Sequence, residues 1–399
     1  MVDPKTELTA LLAELPEAAE ERQRSAFAEQ TQGRAKSLVL FGAGNLGRRT
    51  LAGLRRVGIE PLAFSDNNRE RWGTTQDGVP ILAPAEAAQR YGSSAAFVVT
   101  IWGAGQKHRL VDIRRQLQGQ GCAVIVPFAL LSWHYPDAFL PYLAIDVPQK
   151  VLRQRDRVLH AYEVLADRVS QDEFVAQVRW RLWLDFDGLP APCPGPQYWP
   201  ADVLAPRGQE IFIDCGAFDG DTIAELVHKR PESIGQIVAF EPDPANFVRL
   251  QEWVTHLPPE LAGRIRIRQE AVGACRAMLR FGASGTAASA VGQGDHTVMC
   301  VALDEVLAAE TPTYIKMDIE GSELDALHGA RGVIGRALPV LAVCAYHCQD
   351  HLWEVPLAMA ALGGSYGLYL RAHNLEGFDL VCYAVPPGRW AKTAPDAMD

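Results

Sequence analysis

Acidic residues and a histidine follow two apolar runs in the second half of the chain, where strands are expected to end. Asp318 and Glu320 come at the end of the run that begins at Tyr314, and His347 follows Val340–Tyr346. Histidine and carboxylate side chains in such places can take a proton from a reacting group, and a carboxylate can also anchor a polar substrate. Oxygen and imidazole ligands equally suit a divalent metal ion. The alternatives are a helix N-cap for the aspartate and a hydrogen-bonding loop position for the histidine.

A second group of polar residues surrounds a glycine-containing turn. The apolar run Ile211–Asp214 is followed by Gly216 and Gly220, which let the backbone approach a ligand without Cβ clashes. Glu241 ends the next apolar run, roughly 20 residues later, where nucleotide folds place the carboxylate that binds ribose hydroxyls. Glu270 ends the third run. Its side chain is expected either to lie beside the adenine of a bound nucleotide or to face solvent. An ordinary strand-to-helix turn is the alternative to a ligand site.

The first half of the chain carries its own glycine motif. Gly42, Gly44 and Gly47, with Asn45 between them, form a G-x-G-x-x-G pattern between an apolar run and a helical pattern. Such glycines allow a tight turn, phosphate approach and close helix packing. Asp66 lies near the end of the next strand-like run. These residues predict a site for a nucleotide-linked substrate or NAD, and an empty, purely structural domain is the alternative.

Strand-like and helical patterns alternate twice along the sequence, which predicts two parallel sheets covered by helices. The strands predicted in the first half are Ser37–Phe41, Pro61–Ser65, Ala95–Ile101 and Cys122–Val126. Those predicted in the second half are Ile211–Asp214, Ile237–Phe240, Ile265–Glu270, Tyr314–Asp318, Val340–Tyr346, Gly367–Arg371 and Leu380–Val385. Only a short loop joins the last two strands, which indicates a late antiparallel pair.

The predicted fold class is therefore α/β, with two doubly wound Rossmann-like domains. The predicted divisions are a helical segment at 1–35, a nucleotide-binding-type domain at 36–130, a helical and proline-rich connector at 131–208 and a second α/β domain at 209–399. A chain of 399 residues is long enough for two such domains, each with a core of its own.

Composition narrows the class of partner. The formal net charge is -10, so the protein as a whole repels polyanions and nucleic acid is not expected as a partner. No apolar run reaches the roughly 18 residues of a membrane helix, and the acidic N-terminus lacks the order of a signal peptide. We expect a cytoplasmic protein that acts on a small or carrier-bound polar molecule. Assembly into a homo-oligomer is left open.

Several motifs together resemble the FkbM family of methyltransferases. The run Tyr314–Ala330 resembles the hallmark segment of that family, Asp214–Thr222 its first motif and Phe240–Pro244 its second, and Glu270–Gly273 also fits. Together they cover roughly residues 198–386. The resemblance implies a Rossmann-like methyltransferase fold, S-adenosylmethionine as the cofactor, and usually O-methylation of sugars or secondary metabolites.

The resemblance also implies roles for residues. The expected cofactor contacts are Asp214, Gly216, Ala217, Asp219, Gly220, Asp221, Thr222, Glu241, Pro242, Glu270 and Ala271. Asp318, His347 and Glu320 are the candidate catalytic residues, or alternatively the ligands of a divalent metal ion. Phe218 and Asp219 depart from the family pattern, since many members carry Asn and a small aliphatic residue there. The chain is therefore expected to belong to a subgroup with an acceptor of its own.

The segment from Ser37 to Ile81 resembles the small domain at the front of some sugar acetyltransferases, which binds a nucleotide sugar. Two further hypotheses therefore stand beside the methyltransferase. One is an enzyme that uses NAD or a nucleotide sugar through the front glycine motif, and the other is a nucleotide-binding protein without turnover.

Overall fold

The computed structural model describes residues 3–103, 109–282, 290–291 and 296–391, the pair 290–291 by its backbone. The helices in chain order are α1 (Pro4–Leu12), α2 (Pro16–Thr31), α3 (Asn45–Arg56), α4 (Pro84–Tyr91), α5 (Leu110–Gly119), α6 (Phe128–His134), α7 (Pro136–Phe139), α8 (Gln149–Arg153), α9 (Arg155–Glu163), α10 (Arg168–Trp183), α11 (Asp221–Lys229), α12 (Pro244–Thr255), α13 (Pro259–Ala262), α14 (Leu303–Val306), α15 (Glu323–His328), α16 (Arg331–Ala337) and α17 (His351–Ala360).

The strands in chain order are β1 (Leu38–Phe41), β2 (Ala63–Ser65), β3 (Thr75–Gln76), β4 (Val79–Leu82), β5 (Ala96–Val99), β6 (Val124–Pro127), β7 (Glu210–Cys215), β8 (Ile234–Phe240), β9 (Ile265–Arg268), β10 (Ala271–Val272), β11 (Ala277–Gly282), β12 (Ala290–Val291), β13 (His296–Val301), β14 (Tyr314–Met317), β15 (Val340–Cys344), β16 (Gly367–Ala372) and β17 (Leu380–Val385). Short 3-10 turns lie at Arg69–Arg71, Pro231–Ser233, Leu375–Gly377 and Pro387–Arg389.

The first sheet, which we call the front sheet, has the strand order β3-β4-β2-β1-β5-β6. Strands β4, β2, β1, β5 and β6 pair in parallel, and β3 adds an antiparallel edge to β4. Its strands β1 and β5 are buried throughout their length, as expected for parallel strands covered on both faces. The parallel sheet predicted for the front half is present, and its Rossmann-like character stays a prediction.

The second sheet, which we call the rear sheet, has the strand order β16-β17-β15-β14-β7-β8-β9. Strands β9, β8, β7, β14 and β15 are parallel, whereas β17 runs antiparallel to both of its neighbours. This is the predicted parallel sheet closed by a late antiparallel pair. The predicted fold class is confirmed.

Helix α10 ties the two sheets together, because its two faces pack into different cores. Phe174 and Val178 lie in the core of the rear sheet, while Ala176 and Trp180 lie in the core of the front sheet. The predicted connector is thus helical up to Trp183, and the proline-rich stretch after it contains no helix or strand. The boundaries proposed for the domains stay predictions.

A small sheet with the order β10-β13-β11-β12 was not predicted. Only one residue of β11 and three of the six residues of β13 are buried, so neither strand is buried throughout its length. The strand expected over Ile265–Glu270 ends at Arg268, which leaves Glu270 in the loop before β10. Within the described residues, no helix is both long and apolar enough to cross a membrane.

Candidate functional site

A cavity of about 230 Å³ opens at the carboxyl ends of β7, β8 and β14, where open α/β sheets bind their ligands. One wall comes from the loops after β7 and β8 and comprises Gly216, Phe218, Asp221, Thr222, Glu241, Pro242 and Asn246. The other lining residues, which we call the second wall, are Gln197, Tyr198, Lys316, Asp318, Glu320, Tyr346 and Asp379. Most of these side chains are polar or charged, which favours a polar ligand.

The loop after β7 is shaped by glycine. Gly216 has φ +84°, and a Cβ atom there would lie 1.9 Å from the carbonyl oxygen of Asp318. Gly220 has φ +93° and precedes the first turn of α11. Both positions therefore exclude other residues, and the backbone of this loop lies directly against the loop after β14.

Glu241 is held at the base of the cavity by backbone donors. Its Oε2 accepts from the amide of Phe218 at 2.9 Å, and its Oε1 accepts from the amide of Asp243 at 2.9 Å. The side-chain amide of Asn246 also donates to Oε1, at 3.3 Å. Burial raises the pKa of Glu241 to about 7 in spite of these donors. A carboxylate oxygen has two lone pairs, so this geometry leaves acceptor capacity on the cavity side.

A smaller cavity of about 30 Å³ continues from the first along the end of β8. Gly216 and Pro242 line both cavities, and the small one adds Glu270, Ala271 and apolar side chains. Glu270 accepts from Arg268 Nε at 2.6 Å. The small cavity is therefore lined by mainly apolar residues together with the carboxylate of Glu270.

Asp214 lies beneath this site, and its side chain is fully buried rather than on the cavity wall. Its Oδ1 lies 2.9 Å from Lys316 Nζ, on the neighbouring strand, and Lys316 also donates to the carbonyl of Gly216 at 2.7 Å. Burial raises the pKa of Asp214 to about 6, and the pKa of Lys316 is raised by the carboxylates of Asp214 and Asp318 against the opposing effect of burial. The pair therefore holds the loop after β7 through the hydrogen bond from Lys316 to Gly216.

The remaining residues of the first motif divide between the wall and the layer behind it. Asp221 and Thr222 line the cavity, at the start of α11. Ala217 is buried and donates its amide to the carbonyl of Phe240 at 2.9 Å. Asp219 is partly exposed and is not part of the cavity wall.

The three candidate catalytic residues come together, as their positions after β14 and β15 predicted. His347 Nε2 lies 3.3 Å from Asp318 Oδ1 and 3.8 Å from Glu320 Oε1. The helix after β14 begins at Glu323 and has Ser322 at its N-cap, so the alternative of a capping role for Asp318 is wrong. Asp318 instead faces the cavity, with a quarter of its side chain exposed.

Glu323 is a member of this cluster that the sequence reasoning missed. Its Oε1 lies 2.7 Å from His347 Nδ1 and accepts from the amide of Ile319 at 2.9 Å, while Oε2 lies 3.3 Å from His351 Nδ1. Two histidines hold the pKa of Glu323 well below its usual range, although burial opposes them. Against its own burial, the pKa of His347 is raised to about 10, chiefly by Glu323. The only sequence signal for Glu323 was its position four residues after Ile319, whose amide it accepts from.

Three further wall residues come from segments to which no role was given. Tyr198, in the proline-rich stretch, donates its hydroxyl to Asp318 Oδ2 at 2.9 Å. Tyr346 and Asp379 follow β15 and precede β17. Burial raises the pKa of Glu320 to about 7 and that of Asp379 above its usual value. The tyrosine in a segment rich in proline was the available signal for Tyr198, because aromatic side chains in such segments often pack onto a neighbouring site.

The front glycine motif forms the predicted turn between β1 and α3. Asp66 Oδ2 accepts from the amide of Ala43 at 2.7 Å, so the aspartate and the glycine loop are in contact. A Cβ atom at Gly47 would lie 2.1 Å from the carbonyl oxygen of Gly42, whereas one at Gly44 would meet nothing within 4 Å. Asn45 is the first residue of α3. Nucleotide binding by these residues stays a prediction.

Comparison with known proteins addresses the rear sheet and its site. The model of the methyltransferase FkbM domain matches residues 214–359. The crystal structure of methyltransferase FkbM from Methylobacillus flagellatus KT is similar, with a TM-score of 0.74, 21% sequence identity, 96% of this chain covered and 100% of that chain. At this identity the likeness shows the fold.

Two other solved structures are similar over smaller parts and at low TM-scores, so no argument rests on them. UDP-D-quinovosamine 4-dehydrogenase from Vibrio fischeri has a TM-score of 0.20 and 26% identity, covering 23% of this chain and 76% of that chain. Precorrin-6y C5,15-methyltransferase from Geobacter metallireducens GS-15 has a TM-score of 0.29 and 11% identity, covering 45% of this chain and 82% of that chain. No curated protein matches the chain. Residues 214–359, which include β8, β9, β14 and β15 and most of the residues that line the cavity, therefore match a methyltransferase FkbM domain.

Proposed function

We propose that this protein is an S-adenosylmethionine-dependent methyltransferase that methylates a hydroxyl group of a small or carrier-bound polar molecule, of the sugar-containing or secondary-metabolite class. One observation carries the proposal. The buried carboxylate of Glu241 and the acidic residues Asp318 and Glu320 line one cavity at the carboxyl end of the rear sheet.

The residues on the first wall fit an adenosyl group. Glu241 is oriented by two backbone amides and retains lone pairs for a ribose diol. The adjoining small cavity, with Glu270 and Ala271 in its lining, would take the adenine. When bound, S-adenosylmethionine supplies an electrophilic methyl group on a positively charged sulfur. Asp221 and Asp318 add negative charge to the cavity, which favours a cation there.

The second wall fits a hydroxyl-bearing acceptor. Asp318 and Glu320 can accept hydrogen bonds from hydroxyl groups and receive the proton that an attacking oxygen must lose. Tyr198 fixes one oxygen of Asp318, and Glu323 fixes the ring of His347 behind it. These contacts hold the acidic groups in place, which methyl transfer requires because the attacking oxygen must be aligned with the methyl group.

Calorimetric titration of the full chain tests this proposal. We expect saturable binding of S-adenosylmethionine and S-adenosylhomocysteine, and a loss of affinity of about 10- to 100-fold in Glu241→Ala, since hydrogen bonds to a charged group disappear. Glu252→Gln, an exposed change on α12, is the matched control and should bind normally. Equal binding by Glu241→Ala and the control would refute the assigned ribose contact, and no binding of either ligand by the natural chain would refute the function.

Transfer itself is measured with labelled S-adenosylmethionine and a panel of polyhydroxylated acceptors. Labelled product should form with the natural chain and fall strongly in Asp318→Asn. NAD and nucleotide sugars, titrated in the same way, test the competing hypotheses that rest on the front glycine motif. Tight binding of NAD without any binding of the adenosyl sulfonium would favour an oxidoreductase instead.

A further inference from the structure

We propose that Asp318, Glu320 and His347 form a binding site for one divalent metal ion at the acceptor end of the cavity. The ion would bind through one oxygen of each carboxylate and through Nε2 of the imidazole. Its part in catalysis rests on the proposed function, because it would hold an acceptor hydroxyl, whereas binding of the ion does not depend on that function.

The spacing of the three ligand atoms suits a common ion. His347 Nε2 lies 3.3 Å from Asp318 Oδ1 and 3.8 Å from Glu320 Oε1. Ligands at about 2.1 Å from one ion and at right angles to each other are about 3 Å apart. The separation of His347 Nε2 from Asp318 Oδ1 is close to this value, and the Glu320 side chain would rotate toward these two atoms to complete the site.

Two of these atoms are buried without a hydrogen-bond partner. His347 Nε2 and Asp318 Oδ1 face each other without hydrogen-bond geometry, and the side chain of His347 is only 1% exposed. Buried polar atoms are rarely left unsatisfied in a folded protein. An ion between them would satisfy both.

Glu323 fixes the imidazole in the orientation that such a site needs. Its carboxylate lies 2.7 Å from His347 Nδ1, and since an ionised carboxylate can only accept, the proton belongs on Nδ1. An ion that binds here would displace the proton from Nε2, whose lone pair would then face the ion between Asp318 and Glu320. Metal-binding histidines commonly donate their other ring N–H to a carboxylate in this way.

The charges around the site also favour a cation. Asp318, Glu320 and Asp379 line one wall of the cavity. The lysine on that wall, Lys316, is engaged by Asp214 and by the carbonyl of Gly216. Two carboxylate oxygens and one imidazole nitrogen suit Mn²⁺ and similar divalent ions. The side chains of Asp318 and Glu320 are about a quarter exposed, so the cavity side of the ion remains open to a substrate oxygen.

A neighbouring cluster, Cys348, Asp350 and His351, also has ligand atoms close together. Asp350, however, is 3.0 Å from Lys150, so a cation already neutralises it. This cluster supplies the control variants.

The test is titration of the full chain with Mn²⁺, in which electron paramagnetic resonance measures the concentration of the free ion. We expect one saturable site, at least tenfold weaker in Asp318→Asn and in Glu320→Gln, and about tenfold weaker in Glu323→Gln. Cys348→Ser should bind as the natural chain does. Titration with S-adenosylhomocysteine shows whether each variant is folded, and it tests the proposed function separately.

Three results would overturn the metal site. They are an absence of saturable Mn²⁺ binding in the natural chain, unchanged affinity in Asp318→Asn and Glu320→Gln, and a loss in Cys348→Ser equal to theirs. If the natural chain binds S-adenosylhomocysteine but not Mn²⁺, the proposed function stands and the metal site is refuted.

Discussion

Lys316 and Asp214 form an ion pair inside the rear sheet, with Nζ and Oδ1 2.9 Å apart on adjacent parallel strands. The two side chains are 2% and 0% exposed. A buried charge is costly unless it is paired, so each of these residues depends on the other. The lysine also reaches the carbonyl of Gly216, and so the pair connects the sheet to the loop that forms the cavity.

Removing one member of this pair should strongly destabilise the protein. Lys316→Met leaves the Asp214 carboxylate buried without its partner, and we expect a loss of about 3–5 kcal/mol in the free energy of unfolding, measured by urea denaturation. The double variant Asp214→Asn, Lys316→Met removes both charges and should lose much less. Lys229→Met breaks an exposed pair with Glu225 and should cost under about 1 kcal/mol. Equal losses in Lys316→Met and Lys229→Met would contradict the assigned role.

Binding of the cofactor should depend on pH through Glu241. Burial raises the pKa of this carboxyl to about 7, so below pH 7 it is mostly neutral and a weaker acceptor for ribose hydroxyls. Affinity for S-adenosylhomocysteine should therefore rise by about tenfold between pH 6 and pH 8, measured by calorimetry. Glu241→Gln cannot ionise, and its affinity should be low and nearly constant over this range. The same pH dependence in both proteins would assign the titration to another group.

Much of the fold could be predicted because its strands are buried on both faces and appear as continuous apolar runs. The last strand, Leu380–Val385, agrees in both bounds, and β1 differs by one residue. The short antiparallel strands β3 and β11 lack such runs. β3 has only two residues and pairs with the neighbouring β4 across the turn at Asp77 and Gly78, whereas β11 depends on pairing with β13 later in the chain.

Residues of the site could be predicted where a short motif at the end of a strand fixes the position of the residue by itself. Gly216 and Glu241 are of this kind, and each lies where its motif indicates. Tyr198 and Asp379 reach the cavity from segments distant in sequence, so their place depends on the packing of the whole chain. Asp214 shows a further limit, since a motif position indicated proximity to the cavity without showing that the side chain turns away from it.

The contact between Tyr198 and Asp318 predicts a difference between two tyrosines. Tyr198→Phe removes a hydrogen bond to a carboxylate, and we expect a loss of about 1.5–3 kcal/mol in stability by urea denaturation. Tyr366→Phe removes a bond of 2.8 Å to the uncharged carbonyl of Pro339 and should cost about 1 kcal/mol. A smaller loss for Tyr198→Phe than for Tyr366→Phe would contradict the hydrogen bond assigned to Tyr198 and Asp318.

Glu376 joins the two sheets through the first turn of α5. Its carboxylate accepts from the amide of Leu110, and its carbonyl accepts from Trp102 Nε1 at 3.2 Å. Glu376→Ala should leave the buried Leu110 amide, the first of α5, without its acceptor and lower stability by about 1–2 kcal/mol. Hydrogen exchange should become faster in that first turn. Glu305→Ala, which breaks an exposed pair with Arg276, is the control and should leave α5 unchanged.

The close approach of Gly216 to the carbonyl of Asp318 limits how this enzyme can be redesigned. Because main-chain atoms touch there, the separation between the loop after β7 and the loop after β14 is fixed by the two loops themselves. Engineering for larger or smaller acceptors must therefore start at peripheral positions such as Gln197 and Asp379. Saturation mutagenesis at position 216 should return glycine alone among active clones.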